Sequence, residues 1–152
     1  MSKIVISGYY GFANAGDEAM LTAIVKSLRK AEESVDLTVI SGNPQNTSTK
    51  HLVNSIHRFA PCKIYFALAN CDLLLSGGGS LLQDVTSKKS LLYYLAVILL
   101  GKMMNKKVML YAHGIGPIRS NGLRKITKIV CNKVDLITVR DTDSLDELRR
   151  LG

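Results

Sequence analysis

The sequence predicts an α/β domain built as a doubly wound parallel sheet of Rossmann-like type. Apolar strand patterns alternate with amphipathic helix patterns along all 152 residues. Three of the expected strands run into glycine loops at their carboxyl ends: GYYGFANAG over 8–16, GGG over 77–79 and AHGIGP over 112–117. No internal repeat or low-complexity tract breaks the pattern. Such alternation implies right-handed crossovers and a parallel sheet covered on both faces. In an open parallel sheet, the carboxyl edge is where ligands bind.

Strands are expected over 3–8, 36–41, 53–57, 71–76, 107–112 and 134–139, and helices over 16–32, 61–70, 80–104, 121–132 and 142–151. KIVISG, at 3–8, is alternating and then apolar. Gly16, Asp17 and Glu18 open a helix with Leu21, Ile24, Val25 and Leu28 along one side. GNPQNTSTKHL, at 42–52, is the longest polar stretch and is expected to join the second and third strands with at most one helical turn. The apolar strand ending at 76 meets Gly77, Gly78 and Gly79, and Ser80 is expected to cap the long helix after them, which has a break near Val85–Lys89. Arg140 ends the last strand, with Asp141 or Thr142 as the cap of the last helix.

With 47% hydrophobic residues the chain can bury one core and has room for one domain. No stretch reaches the roughly 20 apolar residues of a membrane span, and LLYYLAVILL at 91–100 reads as a buried helix. The start MSKIVISG reads as a strand and not as a signal peptide. Cys62, Cys71 and Cys131 lack metal-ligand spacing and read as reduced thiols of a cytoplasmic protein, with no metal site expected.

Charge is uneven. Residues 1–100 carry 9 Lys and Arg against 7 Asp and Glu, and residues 101–152 carry 11 against 5, so +6 of the net +8 lies in the last third. The helix around Leu123, Ile126, Ile129 and Val130 shows Arg124, Lys125 and Lys128 on another face, with Lys106, Lys107 and Lys133 near its ends. Each lysine alone reads as solvated surface; together they suit a phosphate-rich ligand or peripheral contact with an anionic membrane. Nucleic acid is disfavoured, because no aromatics interleave the basic helix.

The glycine loops and their neighbours form the candidate site. Gly77, Gly78, Gly79 and Ser80 leave backbone N–H groups open to a phosphate or carboxylate, or else only let strand and helix pack closely. Asp17, after Gly16, is a candidate acid or base toward a ligand, or else complements a helix start at about 0.3–1 kcal/mol; Glu18 reads as a helix-dipole partner. Arg140 would grip a carboxylate or phosphate with its planar fork, or else latch onto Asp141 or Asp143. Asn14 and Gln83 could supply neutral hydrogen bonds to a ligand, and Tyr9, Tyr10 and Phe12 could stack on a ring or simply pack the loop. His113 is the one histidine in a glycine loop, with ligand hydrogen bonding or a structural place as its alternatives; His51 and His57 receive no role.

SGYYGFANAGDEAML, LLLSGGGSLLQD, YAHGIGPI and ITVRDTDSLDELRRLG occur in an order that resembles the polysaccharide pyruvyl transferase family, most closely its cell-wall branch. The resemblance implies the N-terminal Rossmann-like half, over 1–152, of a two-domain GT-B type transferase, with a C-terminal domain expected beyond it and only half an active site in this chain. It implies transfer of a pyruvyl group from phosphoenolpyruvate, without a cofactor, to a lipid-linked glycan acceptor. In the cell-wall branch the acceptor is an N-acetylmannosamine residue of a cell-wall polysaccharide precursor, and the resulting ketal is implied to anchor surface-layer proteins. The implied location is the cytoplasm, at the inner membrane face. On this resemblance Asp17, as the binder or base of a sugar hydroxyl, and Arg140 are the catalytic candidates, and Asn14, Gly16, Gly77, Gly78, Gly79, Ser80, Gln83, Asp84, His113, Gly114 and Gly116 are the substrate-binding ones, with Asn14 and Gln83 set to bond sugar hydroxyls and Tyr9, Tyr10 and Phe12 to stack on the sugar ring. The chain departs from the family in having His113 where Gln is usual.

Two other readings stand beside it: a glycosyltransferase half-domain using a nucleotide sugar, and a noncatalytic phosphate- or dinucleotide-binding module. An NAD domain is disfavoured, because GYYGFANAG lacks the G-x-G-x-x-G spacing and the second strand ends in Ser41-Gly42 rather than an acidic residue.

Overall fold

A computed structural model describes residues 1–152, and every strand pairing in it is parallel. The elements run β1 (Lys3–Ser7), α1 (Ala15–Ala31), β2 (Asp36–Ser41), α2 (Pro44–His51), β3 (Asn54–His57), α3 (Pro61–Asn70) and β4 (Leu73–Ser76). There follow β5 (Gly79–Leu82), α4 (Lys88–Met103), β6 (Lys107–Ile115), α5 (Asn121–Cys131), β7 (Leu136–Val139) and α6 (Thr142–Leu151). The sheet order is β3-β2-β1-β4-β6, with β7 on the far side of β6. This is the α/β, Rossmann-like architecture the alternation predicts.

The winding on both faces follows from the strands themselves. Ile4, Ile6 and Leu75 point to one face, where they meet Leu21, Ile24 and Val25 of α1. Val5 and Leu74 point to the other, where Ile64 and Leu68 of α3, Leu91, Leu95 and Ile98 of α4, and Leu123 and Val130 of α5 form the larger core. Burying one such side chain contributes about 1.5–3 kcal/mol relative to exposure. The central strands are therefore apolar on both sides, as parallel strands must be.

Two expectations are corrected. Residues 80–82 are not the start of a helix: they belong to β5, and α4 begins only at Lys88, capped by Ser87 Oγ, which accepts from Ser90 N at 3.2 Å. The reason is β6, which runs past Leu110 to Ile115 and so extends through the segment expected to be a loop. Its edge beyond β4 is free, and Gly79 pairs with His113 and Leu82 with Ile115. Leu81 and Leu82 are buried by this pairing. Second, 44–51 is a full helix rather than a single turn. Asn43 Oδ1 accepts from Asn46 N at 3.2 Å, Pro44 sits in the first turn, and Thr47 and His51 are buried.

The loop into β7 is tied by a carboxylate. Asp135 Oδ2 accepts from Lys102 Nζ at 2.7 Å and from Val108 N at 2.8 Å. The lysine contact first, and the backbone bond second, hold its carboxyl down at about 2. With the folded value below the ordinary one of about 3.9, this stabilisation is complete above about pH 4 and disappears as pH falls toward about 2. Melting temperatures of wild type and Asp135→Asn, followed from neutral pH into acid, should differ above about pH 4 and converge as acid protonates Asp135.

Candidate functional site

Because β1, β4 and β6 are parallel neighbours, the segments after Ser7 and Ser76 and the end of β6 emerge at one edge of the sheet. α1 starts there as well, capped by Asn14, whose Oδ1 accepts from Gly16 N at 3.1 Å and Asp17 N at 3.2 Å. Asn14 is thus occupied in shaping the helix start. The cap leaves Asp17 projecting over β5: a Cβ on Gly79, whose φ is +105°, would lie 2.9 Å from Asp17 Oδ1. Burial first, and the neighbouring Glu18 second, raise the Asp17 pKa above the ordinary carboxylate range.

A cleft of about 350 Å³ opens at this edge, lined by Tyr9, Asp17, Ser80, Leu81, Gln83, Thr86, Ser90 and Tyr94. That volume suits a small-molecule site. Tyr94 is buried, its hydroxyl has no hydrogen-bond partner, and burial pushes its pKa up to about 12, so it stays a donor. A buried hydroxyl without a partner costs on the order of 1–3 kcal/mol. Gln83 is drawn into a local turn, donating to Thr86 Oγ1 at 2.9 Å and accepting from Thr86 N at 3.0 Å. A second cleft, of about 430 Å³, lies between the first loop and α2, beside Glu18, Asn43, Asn46 and Lys50. Its Asn43 and Glu18 oxygens are already engaged within the fold, so the cleft with the orphaned donor is the stronger candidate.

Arg140 follows β7 and lies over β6: a Cβ on Gly114 would come within 2.7 Å of its guanidinium and 2.9 Å of Ser80 Oγ. Its Nε donates to Asp141 Oδ2 at 3.1 Å, so the latch exists, yet the side chain is half exposed. Asp141, with Oδ1 accepting from Ser144 N at 2.7 Å, is the cap of α6. Ser80 shares the cleft lining with Asp17 and lies, like Arg140, beside Gly114. Asp17 rests against Gly79 and Arg140 against Gly114 and Ser80, so the structure brings Asp17, Gly79, Ser80, Gly114 and Arg140 together.

Other candidates have structural engagements. Gly77 and Gly78 are packed against Tyr10 and Met20, and Gly116 against Gln83. The triple glycine does not lead into a helix, so the expected helix N-terminus beside it is absent, and Ser80 caps nothing. Asp84 accepts from Arg119 N and Ser120 N, both at 2.9 Å; these bonds lower its pKa and tie the β5–α4 connection to the start of α5. His113 is enclosed rather than presented to a ligand: it is fully buried, with Nε2 3.0 Å from both the carbonyl oxygen and Oγ of Ser76.

Three features escaped the sequence reading. Glu18 is buried and does more than complement a helix: Oε1 accepts from Gly11 N at 2.9 Å, and Oε2 meets His51 Nε2 at 2.9 Å. Its pKa is lowered; burial opposes the lowering but is outweighed by the bonds from His51 and Gly11 and by the charge of Lys50. Arg58 follows β3 at the same edge, its guanidinium 5.2 Å from the Phe12 ring, 4.9 Å from Phe59 and 4.7 Å from Tyr93. Phe12 in turn stacks on Tyr9 at 4.3 Å. The alternation itself points to residue 58 as an edge position. For Tyr94 and the Glu18–His51 pair, no local signal exists.

The fold and the cleft define a Rossmann-like domain with a cleft of small-molecule size at the carboxyl edge of its sheet. Residues 14–152 match the family described as polysaccharide pyruvyl transferase, and the chain belongs to that family. It is also similar to the amylovoran biosynthesis protein AmsJ of Erwinia amylovora, at 22% identity over 191 aligned positions that take in 99% of this chain and 45% of that protein. The chain thus spans about half the length of this relative.

His113 supplies a test of the interior beneath the site. Burial lowers its pKa to about 4. The unfolded chain takes up this proton near pH 6.5, whereas the folded chain does so only near pH 4. Stability is therefore complete above about pH 6.5 and falls by up to about 3 kcal/mol as pH drops to about 4. Denaturant unfolding of His113→Gln should lack this portion of the pH dependence.

Proposed function

We propose that this chain is the N-terminal half of a transferase that moves the pyruvyl group of phosphoenolpyruvate onto two hydroxyls of a sugar, forming a ketal. The acceptor we infer is a lipid-linked cell-wall polysaccharide precursor, with N-acetylmannosamine as the sugar. Membership of the pyruvyl transferase family supports the reaction class. The observation that carries the site is the cleft holding Asp17, Ser80 and the unpartnered Tyr94 hydroxyl, with Arg140 beside Ser80.

The chemistry divides into steps that these groups suit. A proton adds to the methylene carbon of phosphoenolpyruvate, C2 gains positive character, and one sugar hydroxyl forms a C–O bond there while losing its proton to a base. The C2–O bond to phosphate then breaks, and the second hydroxyl closes the ring and releases its proton. Asp17, whose pKa is raised by burial, is matched to take a hydroxyl proton. Arg140 offers its terminal N–H groups to the donor's carboxylate or phosphate, while Nε keeps its bond to Asp141. Tyr94 donates to a sugar oxygen, and Tyr9, stacked on Phe12, gives an apolar wall for the ring. The proton for the methylene carbon and the remaining anion contacts are assigned to the second domain.

A dinucleotide module is less well supported, for a specific reason. Ser41 at the end of β2, where a ribose-binding acid would stand, is buried and bonded to Thr47 Oγ1 at 2.7 Å and to Asn43 N at 2.9 Å. Assays of the two-domain protein with phosphoenolpyruvate or nucleotide sugars, on a lipid-linked disaccharide, test the reaction itself; turnover only with nucleotide sugars would replace this reading by the glycosyltransferase one.

In that assay Arg140→Lys keeps charge but loses the fork, and kcat/KM should fall about 10- to 100-fold with the melting temperature nearly unchanged. If Arg140 is only a latch, stability falls and activity per folded molecule stays at wild type. Asp17→Asn should remove most turnover with the fold intact. Tyr94→Phe should raise the acceptor KM about three- to tenfold without destabilising the protein, because its hydroxyl has no partner to lose.

A further inference from the structure

Between Asp84 and Asp135 the chain has ten Lys and Arg residues and no Asp or Glu, and α3 carries no acid either. The fold gathers these segments. α3, α4 and α5 lie side by side on one face of the sheet, sharing a core through Ile64, Leu95 and Leu123. The other face, with α1 and its exit, sets Asp17, Glu18, Glu32 and Glu33 against Lys26, Arg29 and Lys30. The α3–α5 layer is therefore the more basic side, with the acids of α6 (Asp143, Asp146 and Glu147) at its border beside α5.

The basic layer is also apolar where it meets solvent. α4 is apolar all round, a pattern ordinarily found in helices buried on every side. Its inner face is indeed buried, but Leu92, Ala96, Leu99 and Met103 recur at intervals of four, three and four, forming a stripe on the outside. Leu92 is 43% exposed and Met103 72%. On the neighbouring α5, Ile126 and Ile129 are 42% and 57% exposed. Lys133 and Lys102 meet Leu99 and Met103 where the two helices end. Lys125, Lys128 and Lys133 have no ion-pair partner.

We propose that this outer face of α4 and α5 docks on an anionic lipid bilayer. Shallow apolar side chains enter the headgroup boundary, and the lysines, with their aliphatic stems alongside, meet the lipid phosphates. An acidic surface is selected because Lys125, Lys128 and Lys133 are cations without a partner, whereas Lys102 is held by Asp135 and Arg124 by Glu147. A lipid surface is favoured over nucleic acid because the stripe between the lysines is aliphatic, with no ring to stack on a base. The proposal needs neither donor nor acceptor and so stands apart from the transferase reading. Where both hold, Ser90 and Tyr94 near the start of α4 would bring the cleft close to a lipid-linked acceptor.

The test is co-sedimentation of the 152-residue chain with vesicles of equimolar phosphatidylglycerol and phosphatidylcholine, and with phosphatidylcholine vesicles alone. Partitioning to the mixed vesicles is expected at about 0.01 M salt, with at least a tenfold fall by about 0.15 M as the Debye length shrinks. Neutral vesicles should not retain the chain. The double variant Met103→Glu with Ile129→Glu changes two exposed positions; it should keep the wild-type circular dichroism spectrum and lose at least tenfold in partitioning. Replacing Lys125, Lys128 and Lys133 by Gln should weaken binding and flatten its salt dependence. No partitioning at low salt, equal retention on neutral vesicles, or wild-type partitioning by a folded glutamate variant would overturn the proposal. So would tighter retention on a single-stranded oligonucleotide, or self-association that the glutamate variant abolishes.

Discussion

β6, nine residues long, has strand partners on both sides, and the placement of the site follows from that pairing. On one side β4 pairs with residues 107–110, and after the Gly77–Gly78 interruption β5 takes up the same edge from His113. On the other side β7 runs from Met109 to His113. A strand that ended at Leu110 would leave Leu81 and Leu82 without a ladder and Ser80 without a fixed place. It would also deprive Arg140, whose N–H bonds His113 O at 3.1 Å, of its anchor. Asp17 approaches this strand system from α1 and Arg140 from β7.

Much of this was readable from residue patterns, for reasons of range. β1, α3 and α6 have strong local periodicity and boundaries marked by glycine, proline or a capping aspartate, so neighbouring residues suffice to define them. The carboxyl edge followed from alternation, since parallel strands must all point one way. β5 was not readable, because Ser80, Leu81, Leu82 and Gln83 are ordinary residues for a helix start, and their strand conformation depends on an edge of β6 some 30 residues later. α2 was hidden by polar composition; burial of Thr47 and His51 by the first loop and α1 overrides weak intrinsic propensity there.

The candidate site was legible in outline and illegible in its chemistry. Asp17 and Arg140 could be placed at the edge because each sits next to a strand or helix terminus. That Asp84 would serve the backbone of Arg119 and Ser120, or that His113 would turn inward to Ser76, depends on contacts 35 and 37 residues apart. Tyr94 looked like one more apolar position in LLYYLAVILL, and only its unpartnered hydroxyl within the assembled cleft distinguishes it.

Glu18 joins parts that are otherwise separate. One oxygen holds the amide of Gly11 in the first loop and the other meets His51 at the end of α2, while Arg29 on α1 donates to the carbonyl of His51 at 3.3 Å. The loop, α1 and α2 are thereby made to open together rather than to fray one at a time. The amide of Gly11 is thereby fastened to the helix pair, which tethers the loop that carries the aromatic wall of Tyr9 and Phe12.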